Sequence, residues 1–103
     1  MPSLAKVSPN AVWHEHVGES MSPTIEDLEY VIVEPNESIK NGDICLIEVA
    51  GKQYILKLCV EDDGKHIFRG DNKNAQDETP LNKQCKVIGK VVYILKDTHY
   101  DNN

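Results

Sequence analysis

This 103-residue chain contains no heptad pattern and no long amphipathic helix. Val- and Ile-rich runs alternate instead with clusters of Gly, Pro, Asn and Asp. Such runs build strands, because β-branched side chains suit a pleated surface while the punctuating residues suit turns. Residues 12–17, 28–34, 43–50, 54–60, 66–69 and 85–96 read as strands. Residues 35–42 read as a loop, Ala50-Gly51-Lys52-Gln53 as a hairpin connection, Glu61-Asp62-Asp63-Gly64-Lys65 as a polar turn, and 71–84 as a long polar loop. The isolated Gly89 in the last run predicts a bulge. The expected fold class is mostly β with little helix: one compact, folded-sheet or barrel-like domain over residues 1–103, with 1–11 and 97–103 as loose ends.

A chain of this length buries a modest core without disulfides or metal. Its formal net charge of −6 argues against nucleic-acid binding by the chain itself, since phosphate contacts need a basic surface. No apolar stretch approaches the length of a membrane span, and Met1-Pro2-Ser3-Leu4-Ala5-Lys6 lacks the apolar core of a secretory signal. Cys45, Cys59 and Cys85 are widely spaced in apolar strand contexts. They read as small buried hydrophobes of a reducing cytoplasm rather than as bridges or ligands.

Lys57 interrupts the apolar run Tyr54-Ile55-Leu56-Lys57-Leu58-Cys59-Val60. By alternation Ile55, Lys57 and Cys59 share one strand face, and Tyr54, Leu56, Leu58 and Val60 the other. A buried amine is disfavoured in its charged form, which is how lysine becomes a general base near neutral pH. A base needs a nucleophile, and Ser20 stands upstream in Gly18-Glu19-Ser20-Met21-Ser22-Pro23. The alternatives are a lysine whose ammonium snorkels to water and a serine that caps a turn.

In order along the chain, the Ser20 segment, Tyr30-Val31-Ile32-Val33-Glu34-Pro35, Lys40-Asn41-Gly42-Asp43-Ile44-Cys45-Leu46-Ile47, Tyr54-Ile55-Leu56-Lys57-Leu58 and Val87-Ile88-Gly89-Lys90-Val91-Val92 resemble five boxes of the LexA/UmuD-like self-cleaving serine peptidases. The resemblance covers about residues 17 to 95, and the separation of Ser20 from Lys57 is similar to the family's. It implies catalysis by Ser20 and Lys57, an oxyanion held by the backbone N–H groups of Glu19 and Ser20, and a turn and substrate groove shaped by Met21 and Pro23. Where the family has a Gly-Asp turn before its first core strand, this chain has Asp27-Leu28-Glu29. Gly70-Asp71-Asn72 is similar to a box of membrane-bound signal peptidases that use the same chemistry.

His14 and His16 alternate on one strand face and read as solvent-exposed residues, since two ligands are too few for a metal. No metal or cofactor is expected. Glu61-Asp62-Asp63 and residues 71–78 read as solvated turns. Relatives cut an Ala-Gly or Cys-Gly bond some thirty-odd residues before the serine, whereas nineteen residues precede Ser20 here and contain neither dipeptide. The expectation is therefore a C-terminal fragment or a small free-standing relative, unable to cut itself in this truncated form.

The functions implied are an autopeptidase domain of a LexA- or phage-repressor-like regulator that cuts its own linker, a non-catalytic oligomerisation domain of a repressor, or a UmuD-like polymerase accessory subunit. The implied partners are a second copy of the chain, a RecA filament, and DNA only through a missing N-terminal domain, with no membrane. Val87, Ile88, Val91, Val92, Ile94 and Leu95 predict that residues 85–96 form an edge strand that pairs with the second copy.

Overall fold

The computed structural model describes residues 7–35, 37–74 and 77–96. They form seven strands: β1 Val12–Glu15, β2 Tyr30–Pro35, β3 Ile44–Val49, β4 Lys52–Val60, β5 His66–Arg69, β6 Glu78–Pro80 and β7 Cys85–Leu95. Every pairing is antiparallel, in the order β1-β2-β7-β3-β4-β5-β6. There is no helix among the described residues. The mostly β expectation holds.

Two core clusters flank the β3–β4 hairpin. Met21, Ile25, Val31, Val33, Leu46 and Ile55 form one, and Cys45, Ile47, Leu56, Leu58, Phe68 and Cys85 the other. Neighbouring residues of β3 and β4 thus enter different clusters, as a strand buried on both faces requires. The hairpin turns through Ala50 and Gly51, both at positive φ (53° and 80°), the pattern whose twist matches paired strands.

β7 departs from the expected edge strand. Over Cys85–Lys90 it bonds β3, and over Gly89–Leu95 it bonds β2, so it joins those two strands and has both as neighbours at Gly89 and Lys90. Among the described residues, Cys85 to Ile88 have an open edge on the side that β2 does not reach, and Val91 to Leu95 have one on the side that β3 does not reach. The expected bulge is present as two register shifts. Ile88 is skipped opposite β3 and Val92 opposite β2, which bends β7 on either side of Gly89. A Cβ at Gly89 would lie 2.6 Å from the Glu34 carbonyl oxygen, so only glycine lets β2 approach this closely.

Two further differences concern polar segments. Residues 78–80, expected as loop, add β6 to the outside of β5, where Glu78 accepts a 3.0 Å hydrogen bond from Arg69. An outermost strand tolerates Pro80 because one of its edges needs no N–H donors. At the other terminus, Ser8 donates both its backbone N–H and its hydroxyl to the Glu34 carboxylate at 2.6 Å, while residues 1–6 lie outside the described residues. The tail 97–103 lies outside the described residues.

Candidate active site

The site begins with Met21. Its side chain is fully buried against Ile55, on the face of β4 that alternation also assigns to Lys57. Driving Met21 into that face places the preceding Ser20 over the same side of the hairpin. Met21 is thus a core residue rather than a groove wall, and Pro23 is exposed beyond the turn.

The turn is held at several backbone atoms. Asp27 Oδ1 accepts from the Gly18 N–H at 2.7 Å. The Glu19 carbonyl accepts from the Ser22 N–H at 3.2 Å and from Asn72 Nδ2 at 2.8 Å. The Ser20 carbonyl accepts from the Asn72 N–H at 2.9 Å. Among the described residues, the N–H groups of Glu19 and Ser20 have no hydrogen-bond partner. Pinned carbonyls beside free amides are what an oxyanion pocket needs.

Lys57 sits on β4 opposite Ile44 of β3 and Arg69 of β5. Its side chain is 35% exposed, so it is less buried than its apolar neighbours suggested. Nζ lies 2.9 Å from Asp71 Oδ1, while Asp71 Oδ2 accepts from the Thr24 hydroxyl at 2.6 Å. Burial pushes the Asp71 carboxyl up, but the Lys57 and Thr24 hydrogen bonds and the Lys57 charge outweigh it and hold the group below its usual range. Among the described residues, no hydrogen bond joins the Ser20 hydroxyl to Lys57; the two are linked through Gly70-Asp71-Asn72. A Cβ at Gly70 would collide with the Ser20 carbonyl oxygen, so this box packs backbone against backbone.

An open cleft of about 380 Å³ adjoins Ser20, with His14 to Ser20 along one wall and Gln53, Tyr54, Ile55 and Asp77 along the other. His16 is 3% exposed, not on the surface as expected. It is enclosed because its N–H donates to Glu29 and its carbonyl accepts from Leu28, folding the 26–29 turn against β1. Its Nε2 has no partner among the described residues, and burial pushes its pKa below the ordinary 6.5 despite Asp27 and Glu29 nearby. Cys45 and Cys85 are buried, and burial pushes the Cys45 thiol up to about 12. No group of three or more His, Cys, Asp or Glu placed to hold a metal occurs among the described residues.

With the serine turn, the lysine strand and their connecting box in place, residues 1–92 match the Peptidase S24-like family. The chain belongs to this family. It is similar to a LexA repressor of Clostridium tetani (strain Massachusetts / E88), 34% identical over 80 residues. That alignment covers 77% of this chain and 38% of the repressor, so the chain spans well under half of that relative's length. Leu28, in the turn before β2, has a positive φ of 72°. A leucine in this left-handed region leaves the backbone of the turn strained.

The sequence pattern points to Ser20, Lys57 and the flanking amides, carries Gly70-Asp71-Asn72 only as a resemblance, and holds no signal for Thr24. Asp71 and Asn72 reach the site from 14 and 52 residues away in sequence respectively, counting from Lys57 and Ser20, through pairing that no local pattern encodes.

Proposed function

We propose that this domain is the serine–lysine autopeptidase unit of a LexA- or phage-repressor-like regulator, acting on a linker upstream of itself. The observation that carries the reading is a turn bearing Ser20, fixed at its carbonyls with free Glu19 and Ser20 amides, over the β4 face that carries Lys57. In the reaction, neutral Lys57 Nζ takes the Ser20 proton as Oγ bonds to the scissile carbonyl carbon. The two amides stabilise the oxyanion, and Lys57 then returns the proton to the departing amine. Lys57 Nζ then takes a proton from water as it attacks the acyl carbon, and returns it to Ser20 Oγ as the ester bond breaks. Lys57 exchanges Asp71 for the serine hydroxyl before the first step, so the ion-paired arrangement is a resting state.

The substrate is an extended peptide. Residues 52–56 of β4 bond β3 on one edge and have no β5 partner on the other, because β5 pairs only with Lys57–Val60. That open edge borders the cleft at Gln53, Tyr54 and Ile55. A strand added there presents its carbonyl to Ser20.

Self-association accompanies cleavage in this proposal. The open edge of Val91–Leu95, rather than all of β7, is its candidate surface. By resemblance, RecA filaments stimulate cutting and DNA is bound by a separate N-terminal domain. The free cysteines fit a cytoplasmic setting, and no described helix is long and apolar enough to cross a membrane.

The test is self-cleavage of the complete gene product, followed by intact mass. Ser20→Ala and Lys57→Ala should each abolish cutting while unfolding as cooperatively as the parent. Undiminished cutting in either variant would refute the assignment and leave the oligomerisation role.

A further inference from the structure

The loop after β5 touches both halves of the site at once. Asp71 takes the Lys57 ammonium at 2.9 Å with one oxygen and the Thr24 hydroxyl at 2.6 Å with the other. The next residue, Asn72, holds the Ser20 carbonyl through its N–H at 2.9 Å and the Glu19 carbonyl through its side-chain amide at 2.8 Å. Gly70 permits this, because any side chain there would collide with the Ser20 carbonyl. Three consecutive residues therefore set where the nucleophile turn and the amine lie relative to each other.

We propose that Asp71 and Asn72 are positioning residues acting as one clamp: Asp71 holds Lys57 as a resting ammonium ion, and Asn72 fixes the turn that carries Ser20. The inference rests on the serine–lysine reading of the site. Two anchored oxygens make Asp71 a rigid counter-ion rather than a mobile surface partner. The pair holds the Asp71 carboxyl below its usual range, and it must open before the amine can reach the serine hydroxyl.

The other charged groups around Lys57 have partners elsewhere. Arg69, opposite it on β5, pairs with Glu61 at 3.4 Å and Glu78 at 3.0 Å. Asp43, which precedes β3, pairs with Lys40 at 3.5 Å and Lys90 at 3.7 Å. The Cys59 thiol, two residues along β4, approaches the Lys57 carbonyl at 3.8 Å. Glu19, in the serine turn, is exposed to solvent. Asp71 is accordingly the anion paired with this amine.

The experiment labels the chain with a fluorophosphonate, which bonds an activated serine, across a pH series, and locates the adduct by mass spectrometry. In the parent chain the adduct should fall on Ser20, increase with pH, and be lost in Lys57→Ala. In Asp71→Asn, and in the smaller Asp71→Ser, the midpoint should move down by about one pH unit, giving about tenfold faster labelling below it. Asp71→Glu, which keeps the charge, should return the midpoint toward the parent value. Asn72→Ala should slow labelling at every pH without moving the midpoint. A midpoint unmoved in both Asp71→Asn and Asp71→Ser, with labelling still dependent on Lys57, overturns the clamp alone. Absent labelling of Ser20, or labelling that ignores Lys57, overturns the serine–lysine reading and the clamp with it.

Discussion

On one face of β4, Leu56 and Leu58 pack with Phe68, Cys45 and Ile47 in a cluster that excludes water. On the opposite face, one step along the same strand, Ile55 packs under Met21 while Lys57 keeps about a third of its side-chain surface in water and pairs with Asp71. The first face is held by area buried, the second by a few directed contacts from a distant loop. The contrast separates what makes the domain fold from what equips it for chemistry, and substitutions on the two faces should differ accordingly.

The largest effect is expected on the packed face. Phe68 is fully buried, and Phe68→Ala should cost about 3–5 kcal/mol in urea denaturation. Met21→Ala should cost about 2–4 kcal/mol and, unlike Phe68→Ala, should loosen the serine turn, because Met21 is the plug beneath it. A cost near zero at Met21 would break the argument that this residue brings Ser20 over β4.

Acid should act on the histidine side of the cleft. Burial lowers the pKa of His16 and of His14 from 6.5, so the unfolded chain binds these protons more readily than the folded one. Their contribution to stability is complete above pH 6.5 and is lost progressively as pH falls below that value toward the folded pKa. Urea midpoints between pH 7 and pH 5 should therefore decline, less steeply in His16→Gln. An unchanged slope in that variant would show that His16 binds protons equally in the folded and unfolded states.

Lys57→Met should change stability by no more than about 1 kcal/mol, since a partly exposed ion pair contributes little to folding. A cost comparable to that of Met21→Ala would erase the distinction between the two faces. The smallest effect is expected at Leu28, which is 58% exposed with a positive φ of 72°. Leu28→Gly should raise stability by about 0.5 kcal/mol, because relief of the left-handed backbone outweighs glycine's extra chain entropy.

The strands were legible because alternation and turn residues are local. Tyr54 to Val60 announces a strand buried on both faces, and Ala50-Gly51 announces the turn before it. Ser20 and Lys57 were legible because a polar residue stands out in an apolar strand and a serine in a short turn. The position of β7 was not legible. Its apolar length suits an edge that meets a partner or a centre with neighbours on both sides, and only the register with β2 and β3 decides between them. The polarity of β6 concealed a strand because an outermost strand needs no apolar face. Burial of His16 and capture of Lys57 by Asp71 depend on the 26–29 turn and the loop after β5, whose placement follows from the whole sheet.

The central claim is that Lys57 acts as the neutral base for Ser20, and the rate of self-cleavage of the complete gene product against pH tests it most directly. The account predicts a rate that rises with pH to a plateau, and that disappears at every pH in Lys57→Ala while the variant remains folded. A rate independent of pH, or cleavage that persists in Lys57→Ala, would contradict it.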